Sequence, residues 1–157
     1  MSSNEKLAEI LLVEDNEGDI ELTREAFESA KFQNTLNIVV DGDEALDYLY
    51  KRNGQEDAKT PDIILLDLNL PGTDGKEVLT IIKSDPVLKA IPVIILTSSS
   101  AEKDIVESYG LHANCYLVKP VSATHFTDMI KHIENFWIAV VCLPDIGDDR
   151  NIRKAAS

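Results

Sequence analysis

The chain predicts a doubly wound α/β domain built on a five-stranded parallel sheet. Five short apolar runs recur along the sequence, most of them continuous rather than alternating, and the segments between them carry helical spacing. A strand covered on both faces reads as an unbroken apolar run. Parallel neighbours need a crossover of about a dozen residues or more, which a helix supplies.

The first run is Ile10-Leu11-Leu12-Val13, followed by Ile20, Thr23, Phe27 and Ala30 on one helical face. The second, Leu36 to Val40, leads through Asp41-Gly42-Asp43 into a helix with Ala45, Leu46, Leu49 and Tyr50 on its apolar side. Lys51 to Lys59 is a polar loop. Pro61 precedes the third run, Ile63 to Leu66, and Pro92 the fourth, Val93 to Leu96; proline is tolerated where a strand begins but not inside it. Pro71-Gly72-Thr73-Asp74-Gly75 admits a third helix with Val78, Leu79 and Ile82 inward. Ser98-Ser99-Ser100 offers caps for a helix carrying Ile105, Val106 and Tyr109. The fifth run, Cys115 to Val118, precedes a long last helix striped by Phe126, Ile130, Ile133 and Trp137.

A length of 157 residues suits one ordinary domain. We read residues 1–6 as a tail, 7–137 as the domain, and 138–157 as an extension, apolar and then polar. Fifteen basic against 28 acidic side chains give a net charge of −13, which argues against nucleic acid or an anionic membrane as partner. The start has no signal-peptide pattern, and the longest uncharged apolar run, Phe136 to Leu143, is far shorter than the ~20 residues of a membrane span. The expected location is cytoplasmic. Cys115 and Cys142 form no Cys-x-x-Cys, and Cys115 reads as an inert core thiol. His125 and His132, about 10.5 Å apart along a helix, are too distant to share a metal ion.

The informative polar residues fall at strand ends. Glu14-Asp15 follow the first strand, Asp67 closes the third, Thr97 the fourth, and Lys119 follows the fifth. In a parallel sheet these ends share one edge, where ligands of open α/β sheets bind at the reversal of winding. An acid beyond a strand is commonly just solvated; the joint pattern carries the weight. Three crowded carboxylates repel unless one is protonated or a cation intervenes. Mg²⁺ suits them, since it takes one or two carboxylates and leaves room for waters and a phosphate oxygen. Thr97 and Lys119 then supply a hydroxyl and a point charge to the phosphate, and Asp67 can attack phosphorus to give an aspartyl phosphate.

These stretches resemble the receiver domains of two-component response regulators, over approximately Leu7 to Trp137. The matching residues are Leu11-Leu12-Val13-Glu14-Asp15-Asn16, Asp62 through Asp67 to Gly75, Val93 through Thr97 to Ser98, and Tyr116-Leu117-Val118-Lys119-Pro120. The resemblance implies a flavodoxin-like receiver fold with strand order 2-1-3-4-5, with Asp67 as phosphoacceptor and Glu14, Asp15 and Asp67 as the acidic metal site. It further implies that Asn69 adds its backbone carbonyl, that Thr97 and Lys119 bind the phosphoryl group, that Lys119-Pro120 is cis, and that Thr97 and Tyr116 act in the switch. Thr73 departs from the pattern, since many members carry an apolar residue there. More narrowly, Asn16-Glu17-Gly18-Asp19, Leu70-Pro71-Gly72-Thr73-Asp74-Gly75, and Phe136-Trp137 leading to Leu143-Pro144 look like the single-domain regulators paired with cyanobacterial phytochromes. That resemblance implies a light-regulated sensor histidine kinase as partner.

The expected function is a phosphorylation-controlled binding module rather than an enzyme, with Asp67 taking phosphate from a donor and losing it again. The residues after Trp137 show neither a helix-turn-helix pattern nor a basic surface, so output is expected through protein contact or a downstream phosphorelay protein. The alternative is a Mg²⁺-dependent phosphatase of the haloacid dehalogenase type, which needs a second Asp as general acid; Asn69 stands there, and that family's nucleophile follows the first strand. Finally, Phe136 to Leu143 is apolar on every side, which a single sheet face cannot cover. This predicts a homodimer with Phe136, Trp137 and Val140 at its interface, the alternative being that the segment folds back over its own domain.

Overall fold

The structure, a computed structural model, describes residues 7–70, 72–98, 101, 104, 107 and 115–141, the side chains of 136–141 excepted. Its elements run β1 (Ala8–Val13), α1 (Glu17–Glu28), β2 (Asn34–Val39), α2 (Gly42–Tyr50), β3 (Ile63–Asp67), α3 (Gly75–Ser84), a 3-10 turn (Leu88–Ala90), β4 (Val93–Thr97), β5 (Cys115–Val118) and α4 (Ala123–Val141). The five strands form one parallel sheet in the order β2-β1-β3-β4-β5; the apolar runs predict five covered parallel strands, and the resemblance to receiver domains predicts their order.

Alternation along the strands divides the core into two layers. Leu11 and Val13 of β1 join Ile64, Leu66, Val93 and Ile95 beneath Ala45, Leu46 and Leu49 of α2 and Val78, Leu79 and Ile82 of α3. Ile10 and Leu12 face the other way with Ile63, Leu65, Ile94 and Leu96, covered by Phe27 of α1 and Phe126, Ile130 and Ile133 of α4. All of β3 and β4 is buried, which is why those runs are apolar at every position but the last.

The expected stripes need two corrections. Tyr50 is 39% exposed, and Tyr48 is the tyrosine that packs inward; the last residue of α2 has turned past the sheet face, and its hydroxyl donates to Asp85 Oδ2 at 2.8 Å. Ala30 lies beyond the α1 cap, Ser29, although it still packs against the core. Ile105, Val106 and Tyr109, the serine caps Ser99 and Ser100, and the tail from Cys142 onward lie outside the described residues. So do the side chains of Phe136, Trp137 and Val140, although the helical backbone runs through them.

Three helices begin at one edge of the sheet. Asn16 Oδ1 accepts from the Asp19 N–H at 2.9 Å, Asp41 Oδ1 from Glu44 at 2.7 Å, and Asp74 Oδ1 from Lys76 at 2.9 Å. Each satisfies an orphan donor of a first helical turn. They fix where the loops after β1, β2 and β3 turn, and those loops frame the acidic edge.

Candidate functional site

Register brings the strand-end residues together. Val13 pairs with Leu66 and Asp67 with Leu96, so Glu14, Asp67 and Thr97 finish adjacent strands at one edge. Lys119 follows β5, and its N–H donates to the Thr97 carbonyl at 2.7 Å. Asp67 and Thr97 are the final residues of their strands rather than the first of their loops, so their backbones are held by the sheet. Glu14 is 0%, Asp67 2% and Thr97 0% exposed. Asp15, the neighbour of a buried glutamate, faces solvent.

Lys119 organises the centre. Its ammonium donates to Asp67 Oδ2 at 2.9 Å and Glu14 Oε2 at 3.0 Å, and lies 3.0 Å from Asp19 Oδ2. Asp67 Oδ1 accepts the backbone N–H of Asn69 at 2.8 Å, and the Asn69 side chain donates to Ser98 Oγ at 2.8 Å. Both Asp67 oxygens are therefore oriented, one by the lysine and one by the loop that follows. The Lys119-Pro120 peptide is cis.

The electrostatics follow from burial. Burial pushes the Glu14 carboxyl up to about 7, and neighbouring Asp67 pushes it the same way against the pull of Lys119. For Lys119, burial lowers the ammonium, but its hydrogen bonds to Asp67, Glu14 and Asp19 outweigh that and hold it well above the ordinary lysine range. One lysine does not balance this many acids.

Glu14, Asp15 and Asp67 each offer a carboxylate oxygen within 4.8 Å of the others. Glu14 Oε1 is buried and lacks an aligned hydrogen bond, although Lys119 Nζ lies 2.9 Å from it; that contact is ionic and leaves lone pairs for another cation. Hard oxygen donors, excess negative charge and a buried oxygen with spare lone pairs fit a divalent cation of the Mg²⁺ class. An anion resting on Lys119 beside such a cation would have the Asp67 carboxylate within reach as a nucleophile.

The predicted acids, Asp67 and Lys119 thus meet in space. Tyr116 sits in β5, half-buried against the α2–α3 side of the core. Cys115 is half-buried, its thiol pushed up by burial, and His125 and His132 are exposed. Sequence reasoning missed two participants, Asp19 and Ser98. Asp19 carried a signal, because it lies in the first turn of the helix that starts beside Asp15, at the same edge. The phosphatase alternative finds no support, since Asp67 ends the third strand and Asn69 follows it. Among the described residues, no helix is long and apolar enough to cross a membrane.

Comparison with known proteins agrees. Residues 10–131 match the response regulator receiver domain. Response regulator Rcp1 of Synechocystis is 44% identical over 86% of this chain and 92% of its own. The crystal structure of its Mn²⁺-bound form superposes with a TM-score of 0.72, over 83% of this chain and 94% of that one. The phosphorylated cyanobacterial phytochrome response regulator RcpA superposes with a TM-score of 0.74 at 46% identity, over 86% and 96% of the two chains. The continuous apolar runs, the acid-lined strand edge and these likenesses agree on one assignment: the chain belongs to the response regulator receiver domain family.

Proposed function

We propose that this protein is a single-domain response regulator that accepts a phosphoryl group on Asp67 from a sensor histidine kinase, in a Mg²⁺-dependent reaction. The observation that carries the reading is the lysine bridge: Lys119 Nζ joins Asp67 and Glu14 beside a third acid at the sheet edge. An Asp67 oxygen attacks phosphorus as the P–N bond to the kinase imidazole breaks. The electron pair stays on the ring nitrogen, and the ring leaves as neutral imidazole when its other nitrogen carries a proton. Lys119 neutralises charge on the transferring group, and Thr97 donates a hydroxyl to it. Glu14, Asp15, Asp67 and the Asn69 carbonyl would hold Mg²⁺, which would supply further positive charge to the transferring group. The N–H of Asn69 keeps Asp67 aimed at the opening.

The likeness to Rcp1 and RcpA, whose lengths this chain nearly spans, supports a phytochrome as the kinase. Thr97 and Tyr116 report phosphorylation to the β5–α4 surface, and output passes to a protein partner or onward in a relay. Self-dephosphorylation of Asp67 returns the resting state. A homodimer through Phe136, Trp137 and Val140 completes the proposal; light scattering on the full chain at high micromolar concentration tests it, and a monomer with and without phosphorylation rejects it.

Acetyl phosphate with Mg²⁺ should add one phosphoryl group by intact mass. Asp67→Asn keeps the shape and removes the nucleophile, so labelling should vanish; equal labelling of that variant rejects the assignment. Transfer from a phytochrome kinase should differ between light and dark.

A further inference from the structure

The ammonium of Lys119 carries three N–H donors and faces three carboxylates. Glu14 Oε2 lies at 3.0 Å, Asp67 Oδ2 at 2.9 Å and Asp19 Oδ2 at 3.0 Å. Its donors are committed, so a phosphoryl oxygen that comes to the lysine displaces a carboxylate. The three are not equal. The Glu14 and Asp67 side chains are 0% and 2% exposed, whereas Asp19 is 29% exposed. A buried carboxylate that loses the lysine keeps a backbone N–H, from Asn16 at Glu14 and from Asn69 at Asp67, but has no water to replace the ammonium, while Asp19 regains water at little cost.

Asp19 also stands apart from the cation-binding acids. The oxygens within 4.8 Å of one another belong to Glu14, Asp15 and Asp67, so a cation there does not neutralise Asp19 as it does them. Its backbone is pinned on both sides: the N–H donates to Asn16 Oδ1 at 2.9 Å, and the carbonyl accepts from Thr23 Oγ1 at 2.8 Å. The helix start therefore holds a negative charge against the lysine that an anionic donor must reach.

We propose that Asp19 is a positioning residue for Lys119, a counter-ion at the mouth of the acidic pocket that sets how strongly the lysine draws an anionic phosphoryl donor. The proposal rests on the reading of Asp67 as phosphoacceptor. Asp19 is the partner released when the phosphoryl group arrives, and its charge discriminates against highly charged small donors. A histidine kinase, which brings its phosphoryl group by protein docking, is less affected than a free acyl phosphate.

Two measurements on the full chain test it. In lysine-¹⁵N-labelled protein, the Lys119 ammonium signal, assigned by its loss in Lys119→Arg, reports whether Asp19 holds the group. Asp19→Asn keeps the side-chain shape and leaves the Asn16 cap in place; it should shift the signal and speed its hydrogen exchange, and Asp19→Glu should restore both in part. An unchanged signal in Asp19→Asn overturns the proposal. With Mg²⁺ present, Asp19→Asn should raise the rate of Asp67 labelling by doubly charged acetyl phosphate roughly threefold to tenfold, and labelling by singly charged phosphoramidate less. A purely structural role moves both donors together, and equal changes for the two overturn the proposal. Undiminished labelling of Asp67→Asn instead overturns the phosphoacceptor reading and the donor effect with it, while the ammonium signal still decides whether Asp19 holds Lys119.

Discussion

Gly75 opens α3 directly against the backbone carbonyl of Asp67: a Cβ at Gly75 would lie 2.4 Å from that oxygen and 2.6 Å from Leu68 Cα. No side chain fits, because the obstruction is backbone held in the sheet. Gly75→Ala should therefore lower stability by about 1–3 kcal/mol, read from the urea midpoint. It should also slow Asp67 labelling, since any relief moves the strand end that carries the proposed phosphoacceptor.

Thr73, where many family members carry an apolar residue, donates its hydroxyl to Asp43 Oδ1. The same loop presses against α2, where a Cβ at Gly42 would lie 1.9 Å from the Thr73 carbonyl. The hydroxyl therefore ties the loop after β3 to the first turn of α2. Thr73→Val should cost about 1 kcal/mol in chemical denaturation, and Asp43→Ala added to it should cost little more, because the two changes remove one interaction.

Mg²⁺ should raise the melting temperature, because a ligand selective for the folded state stabilises it by RT ln(1 + [L]/Kd), about 2.7 kcal/mol at a hundredfold excess over Kd. Asp15→Ala removes an exposed member of the acid set and should abolish the increment with little loss in chelator. Differential scanning calorimetry with and without Mg²⁺ checks it; an increment that survives the substitution counts against this site.

In chelator, stability should depend on pH through Glu14. Burial pushes its carboxyl from 4.5 up to about 7, so between those values the folded chain holds a proton that the unfolded chain has released. Stability from this group is present below about 4.5 and lost as pH rises through about 7. Glu14→Gln cannot titrate, so the difference between wild type and variant in urea midpoint should change across that interval and level off above it. A difference independent of pH rejects the assignment.

The strands were legible in the sequence because burial on both faces leaves a mark at every position: Ile63 to Leu66 and Val93 to Leu96 are apolar throughout, and each is entered through a proline. Asp67, Thr97 and Lys119 were legible because a polar residue ending such a run stands out. Parallel pairing alone then puts them on one edge. The tertiary structure decided what local periodicity does not carry. Tyr48 rather than Tyr50 turns inward because the end of α2 passes the rim of the sheet. Asp19 and Lys119, a hundred residues apart in the chain, meet because β5 ends close to where α1 begins. Gly75 must lack a side chain because α3 starts against the carbonyl of Asp67. Apolar periodicity is set by which face an element buries, and a sequence displays it; an ion pair or a backbone contact is set by where separate crossovers return, and only the packed chain fixes that distance.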